Sequence, residues 1–357
     1  MNLAELTTFR VGGPAGSVAE AHTREELRAF CADHPLRPGD PRPDVLFVGG
    51  GSNLLVADEG FPGPVCVIRT SGVEERPLRT ERRVLTVEAG ENWDDLVART
   101  LDAGLAGLEA LSGIPGSVGA TPVQNVGAYG AEVADSIESV LVFDRLSGDE
   151  LVLGRTELEF GYRTSRLKRT AANTGAVQFV VLAVTFRLAE STLSAPIRYA
   201  QLARALEVDL GDRVETAEVR RAVLDLRASK GMVLDPADHD TWSAGSFFTN
   251  PILPANAALP ADAPVYPVVD PVTGARDATL LKTSAAWLID NAGFSRGFGL
   301  DDRATLSTKH TLALTNRGGA QAADILALAR RIRDGVREAY GIDLEPEPNL
   351  IGCSLQA

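Results

Sequence analysis

The sequence predicts an α+β fold in two domains, and three observations predict it. Strand-like runs recur with only a few helices between them and no repeated strand–helix–strand rhythm, so a doubly wound parallel sheet is not expected. The glycine-rich turn Gly49-Gly50-Gly51-Ser52-Asn53 follows a buried strand but lacks the third glycine of a dinucleotide fingerprint, having Leu54 there. It then breaks at Phe61-Pro62-Gly63-Pro64 instead of feeding a crossover helix. Finally, composition shifts toward loop residues at 231–240, which puts a domain crossing at about 205–230. With 357 residues and 45% apolar content, the chain can fill two or three cores.

Composition also excludes function classes. A formal net charge of −13 argues against non-specific nucleic-acid binding and requires that any anionic ligand be held by focused local donors. No run approaches a membrane-spanning length. The N-terminus MNLAELTTFRVGG lacks a basic flank followed by an apolar stretch, so no secretory signal is expected and the protein reads as cytoplasmic. Cys31, Cys66 and Cys353 are odd in number, and His22, His34, His239 and His310 are scattered. Neither a disulfide framework nor a metal site is predicted.

In chain order, residues 7–13 read as an ordered strand leading into a turn. Thr23 with Glu26 three residues on, ahead of Leu27 and Phe30, is a capping box opening a short helix. Residues 45–48 form a buried strand running into the GGGSN turn, where backbone N–H groups and the Ser52 and Asn53 side chains could cradle a phosphate. Strands follow at 65–68 and 84–88, separated by a polar turn at 74–83. Asn92 caps a helix through Ala103 with Trp93, Leu96, Val97 and Leu101 on one face and Gly104 at its stop.

Residues 111–130, LSGIPGSVGATPVQNVGAYG, are the stretch the chain is organised around. They hold five glycines (Gly113, Gly116, Gly119, Gly127, Gly130) and two prolines but no charged side chain. Such a segment presents backbone: glycine admits positive φ and close approach, and successive N–H groups in these turns bind anions. Ser112, Ser117, Thr121, Gln124, Asn125 and Tyr129 add side-chain donors suited to phosphate, ribose and a heteroaromatic edge. A tight structural loop would explain the glycines alone.

The string IPGSVGATPVQNVGAYG closely resembles the pyrophosphate- and ring-binding segment of the UDP-N-acetylenolpyruvoylglucosamine reductase family, FAD enzymes of bacterial cell-wall synthesis. The resemblance implies non-covalent FAD held by Gly49, Gly50, Gly51, Ser52, Asn53, Gly113, Ile114, Pro115, Gly116, Ser117, Gly119, Asn125, Gly127, Ala128 and Tyr129. It further implies a two-subdomain FAD-binding unit of the vanillyl-alcohol-oxidase type over 1–205, completed by the C-terminal segment 338–357. A separate α+β substrate domain would occupy 206–337.

Residues 139–144 and 150–153 read as paired strands across Ser147-Gly148, and 178–188 as a long β run. Between them, Arg163 in Phe160-Gly161-Tyr162-Arg163-Thr164-Ser165 would by itself be a surface cation at a strand end. The segment resembles the family's catalytic-arginine segment, which implies that role for Arg163. Ile197-Arg198-Tyr199 resembles the tyrosine-bearing segment of the class that closes an extra loop over the nucleotide; a packed interface tyrosine is the alternative. Thr216 is expected to cap a helix carrying Val219, Val223 and Leu226 and leading to Lys230.

Ala244-Gly245-Ser246-Phe247-Phe248-Thr249-Asn250-Pro251 is the second strong signature. Ser246 could be a plain turn residue, but the resemblance implies a proton donor, with Asn250 and Lys230 on the substrate. Residues 282–293 read as a helix and 307–314 as a strand, with His310 a candidate substrate contact. Ile325, Leu328, Ile332 and Val336 recur at helical spacing on a surface helix. In the tail, Glu345 and Glu347 flank Pro346 just before an apolar strand. The resemblance implies a catalytic glutamate returning to the flavin domain, and the register Leu344-x-x-Glu347 favours Glu347 over Glu345.

Taken together the resemblance implies NADPH-driven reduction of UDP-N-acetylglucosamine enolpyruvate to UDP-N-acetylmuramate for peptidoglycan precursors, by a monomer acting on a UDP-sugar with no nucleic-acid or membrane partner. A flavin oxidase or dehydrogenase of the same superfamily, or a non-catalytic flavin-binding regulator, are the alternatives. Composition and spacing by themselves stop at a soluble two-domain nucleotide-binding protein.

Overall fold

A computed structural model describes all residues except 38, 40–42, 78–80, 271–272 and 357. The chain folds as a terminal unit, made of Met1–Gly16, Gly51–Pro62 and Ser229–Ala357, and a central unit, made of Ser17–Gly50 and Gly63–Ala228.

The central unit is built on a six-stranded sheet. Its middle strand, Phe179–Glu190, is the β-branched run FVVLAVTF and buries its first six residues. Ile137–Asp144 and Arg82–Glu88 flank it, both antiparallel, with Glu150–Gly154 and Val73–Pro77 outside them. Leu105–Ala106 pairs with the far end of the middle strand. The strand pairings within this sheet are all antiparallel, as expected of the α+β class. The helix Arg24–Asp33 starts on the capping box: the Thr23 hydroxyl accepts from Glu26 N, and Glu26 Oε2 accepts from Thr23 N. The helix Trp93–Asp102 is capped by Asn92, whose Oδ1 accepts from Asp95 N at 3.1 Å.

Helix Thr216–Ala228 belongs to the central unit because Val219 and Val223 bury against Ile197, Leu202 and Ala203; the last two lie on Ala200–Leu206, a helix the sequence left unassigned. The division between the units falls at 228/229, within the crossing at about 205–230 read from composition; the resemblance implied 205/206. Residues 338–357 fold with 229–337, together with 1–16 and 51–62.

The terminal unit packs around the helix Ala322–Tyr340, whose Ile325, Leu328, Ala329, Ile332 and Val336 form its buried stripe. Asp58 closes the start of this helix, its two carboxylate oxygens accepting from Ala322 N at 2.7 Å and Ala323 N at 3.0 Å. Phe9, Val11, Leu55, Phe247, Phe248, Leu288 and Leu344 share the same core. The C-terminal strand Asn349–Ile351 runs parallel to Leu54–Val56. Among the described residues no helix is long and apolar enough to cross a membrane.

Several local expectations are corrected. Residues 7–13 form a turn with Arg10 at φ 55°, not a strand, because Phe9 and Val11 are both drawn into the core; the strand is Ala15–Ala21. Thr216 is the first residue inside its helix rather than its cap. The helix expected over 282–293 is Ala285–Asn291, since Lys282 and Thr283 end the strand Arg276–Thr283 and Ser284 is the cap. Residues 307–313 are the loop of a hairpin between Ala304–Leu306 and Leu314–Asn316, where Ser307 Oγ accepts from the N–H groups of Lys309 and His310. Parts of the polar turn expected at 74–83 are strand, and 78–80 lie outside the described residues.

Candidate active site

In the central unit the two glycine signatures meet. A Cβ on Gly50 would stand 2.6 Å from the Gly116 Cα, and one on Gly49 would stand 2.3 Å from the Ser117 Oγ. At Gly50, where the neighbour is backbone, only glycine allows this approach. Loop 111–130 is fixed from behind. Trp93 donates its indole N–H to Leu111 O at 3.0 Å and its backbone N–H to Gly116 O at 3.1 Å, while Gly119 N donates to Ala89 O at 2.8 Å. Gly119 must also be glycine, since its Cβ would lie 2.5 Å from that of Ala89. Gly113 and Gly116 take φ 70° and 133°, and Ile114, Pro115 and Gly116 remain half-buried.

This cradle is backed by charges the sequence reading did not single out. Asp94 accepts from Gly113 N at 2.6 Å and from both Arg220 terminal nitrogens at 2.6 and 2.9 Å. Burial opposes its ionisation, yet the Arg220 and Gly113 hydrogen bonds hold its carboxyl below the usual range. Arg227, buried beside Gly113, is pulled down to about 10 by burial against the opposing pull of Tyr129 and Asp94, and stays cationic near neutral pH. Burial also raises the Tyr129 phenol. Neither Asp94 nor Arg220 lies in a glycine-rich or signature stretch, so only spatial adjacency reveals them.

Loop 111–130 ends in a hairpin, Gly127–Ala128 against Ala131–Glu132, turned by Tyr129 and Gly130 at φ 49° and 82°. Two positive φ values in a two-residue turn match the type favoured by strand twist. Tyr129 meets Tyr199 edge-on with ring centroids 5.8 Å apart, and Tyr199 is exposed. Arg163 reaches the same hairpin. It sits at φ 52° in a turn bridged between Gly161 and Thr164, rather than at a strand end, and its Nη2 donates to Gly127 O at 2.7 Å. Asn125 is fully buried and spends its side-chain amide on Glu132, Gly161 and Ala134.

The terminal unit assembles the remaining candidates. The Ser246 segment and the tail run side by side: Glu347 N donates to Phe247 O at 2.8 Å, Thr249 N donates to Glu345 O at 3.0 Å, and Phe248 bridges Pro346. Ser246 and Glu347 are thereby set on adjoining backbone. Asn53 joins them, its Nδ2 donating to Glu347 O at 3.3 Å while its own carbonyl accepts from Asn349 N at 2.9 Å. Gly51 is confined by Leu6, whose carbonyl oxygen would lie 1.6 Å from a Cβ. Ser52 follows it into the turn before Leu54–Val56. Asn250 Oδ1 accepts from Ala285 N at 2.9 Å, steadying the start of the helix Ala285–Asn291. His310 is held neutral, pulled down to about 4 by burial and by the positive charges of Lys230 and Arg296. Lys230 and His310 thus share one cationic region with Arg296, which the sequence reading left unassigned.

Glycine turns packed too closely for a Cβ, positive φ and a buried guanidinium beside Gly113 suit the pyrophosphate of a dinucleotide, so the residues present fit FAD. Comparison with known proteins agrees. Residues 17–154 match a sequence model described as an FAD binding domain, and 235–351 match the UDP-N-acetylenolpyruvoylglucosamine reductase C-terminal domain. A protein of Nocardia farcinica named UDP-N-acetylenolpyruvoylglucosamine reductase is 54% identical, covering 99% of this chain and 90% of its own. A Thermobifida fusca protein of the same name is 50% identical over 99% of this chain and 97% of its own. The crystal structure of the reductase from Thermus caldophilus aligns with TM-score 0.62 at 29% identity, over 98% of this chain and 97% of that one. By identity and by coverage on both sides, this chain belongs to the UDP-N-acetylenolpyruvoylglucosamine reductase family.

Proposed function

We propose that the protein reduces UDP-N-acetylglucosamine enolpyruvate to UDP-N-acetylmuramate with NADPH as electron source and non-covalent FAD as cofactor. The observation that carries this reading is the backbone pairing of 247–249 with 345–347, which puts two separate family signatures on adjoining backbone segments. Family membership supplies the reaction; the pairing supports the assignment of Ser246 and Glu347 to it.

Gly49, Gly50, Gly113, Ile114, Pro115, Gly116, Ser117 and Gly119 would hold the FAD pyrophosphate, with Gly51, Ser52, Asn53, Gly127, Ala128 and Tyr129 also toward the cofactor. When bound, FAD supplies two-electron transfer between NADPH and the terminal enolpyruvyl carbon. The protein's task is charge and proton management. Reduction of the double bond builds negative charge on the neighbouring carbon and its carboxylate, and the fixed guanidinium of Arg163 offsets it. Ser246 delivers the proton from a neutral hydroxyl, and Glu347 orients or polarises the group. Lys230 offers an ammonium to a substrate anion, with Asn250, neutral His310 and Tyr199 as further substrate contacts. The reading carries with it a cytoplasmic monomer without nucleic-acid or membrane partners, which sedimentation of the purified protein would check.

The test is anaerobic reduction with NADPH followed by rapid mixing with the enolpyruvyl sugar nucleotide. Flavin reoxidation with UDP-N-acetylmuramate formed, lost in Ser246→Ala, is the expected result. Reoxidation only after oxygen is admitted would favour an oxidase, and a protein purified without flavin would remove the basis of the reading.

A further inference from the structure

We infer that Asn125 is a positioning residue for Arg163: its buried amide ties together the glycine loop, the returning hairpin strand and the turn that carries the guanidinium. The inference rests on the reading of Arg163 as the group that faces developing charge. Two segments beyond its own loop converge on this one side chain. Nδ2 donates to Glu132 Oε2 at 2.7 Å and to Gly161 O at 3.1 Å, and Oδ1 accepts from Ala134 N at 3.2 Å.

Gly161 opens the turn holding Arg163, and Glu132 lies directly across the hairpin from Gly127. Gly127 O is the acceptor for Arg163 Nη2 at 2.7 Å, and the Asn125 carbonyl takes Nη1 at 3.5 Å. The amide therefore braces both the backbone that carries the guanidinium and the carbonyls that hold it. Only a group with two donors and one acceptor in one short plane can do this, which singles out asparagine. Asparagine also tolerates the left-handed φ of 47° found here. With the amide committed inside the protein, the contribution of Asn125 to cofactor binding passes through the backbone it fixes.

The isosteric change Asn125→Asp isolates the role. It keeps an acceptor for Ala134 N but sets a second carboxylate against Glu132 and against the Gly161 carbonyl. The charged groups around it are Glu132, Asp135, which accepts from Glu132 N, Arg163, and Lys168, which donates to Arg163 O. Two carboxylates at this distance share a proton on acidification, and the O–H then restores one of the two lost donors, the one toward Glu132.

Steady-state turnover of flavin-loaded Asn125→Asp is expected to fall by about a hundredfold in kcat at alkaline pH, with KM little changed, and to recover as pH falls. Wild type has no such recovery, and adding Glu132→Gln to the variant removes it. A variant profile parallel to wild type, with flavin retained, overturns the inference. If Asn125→Asp does not fold, Glu132→Ala decides: about a tenfold loss in kcat at unchanged KM is expected, and an unchanged kcat overturns it. Arg163→Ala is the control. Full turnover there would refute the role of Arg163 itself, a different outcome from an inactive Arg163→Ala beside an unaffected Asn125→Asp.

Discussion

At the scale of single residues, the nature of the neighbouring atom decides how much each glycine matters. A methyl at Gly50 meets the Gly116 backbone, which cannot turn away, whereas a methyl at Gly49 meets a serine hydroxyl that can rotate. Gly50→Ala is therefore expected to abolish bound flavin, measured by absorbance per protein, while Gly49→Ala keeps most of it. His310 makes a second prediction. Its proton affinity falls from an ordinary 6.5 to about 4 on folding, so the unfolded chain binds more protons between those values. Stability is full above this window and is lost as pH falls through it. Melting temperature followed from pH 7 to 4 should drop less in His310→Gln than in wild type; parallel curves would refute the burial argument.

At the scale of elements, the helix Trp93–Asp102 does more than fill the core. Its first-turn Asp94 ties loop 111–130 to the helix Thr216–Ala228 through Gly113 and Arg220. Asp94→Ala leaves a half-buried guanidinium and a backbone N–H without this acceptor. We expect a loss of about 2 kcal/mol in urea denaturation and faster amide exchange over 111–116. An unchanged exchange pattern would mean that the loop is held by Trp93 and Ala89 alone. The tail illustrates the converse, an element fixed by others. Arg330 Nη2 donates to Ser354 O and Arg333 Nη1 to Leu355 O, both at 2.7 Å, so the helix Ala322–Tyr340 clamps the chain beyond the strand that follows Glu347.

At the scale of the whole molecule, the first residues of the chain belong to the unit made mostly by the last third. Phe9 packs on Phe247 with ring centroids 6.3 Å apart, and its carbonyl accepts from Asn316 Nδ2 at 3.0 Å. Phe9→Ala should cost about 3 to 5 kcal/mol. Its loss of exchange protection should fall on 242–250 and on the helices Ala285–Asn291 and Ala322–Tyr340, sparing the sheet strands Ile137–Asp144 and Phe179–Glu190. Uniform loss over both units would show that they unfold together.

The sequence by itself determined what depends on local spacing. The capping box at Thr23, the Asn92 cap, the apolar period of Ala322–Tyr340 and the long β run all form where their patterns lie, because each is satisfied by neighbours in the chain. The two glycine signatures were legible for the same reason: lack of side chains is a local property with a long-range use. Tertiary structure decided the rest. Phe9 and Val11 read as strand until a distant core claimed them, and 307–313 read as strand until Ser307 bent it into a loop. Nothing local marks Asp94 as the partner of Arg220, or Asn125 as the brace of Arg163, since their partners stand 126 and 38 residues away. A hydrogen bond between such residues exists only once the backbone has been folded to bring its ends together.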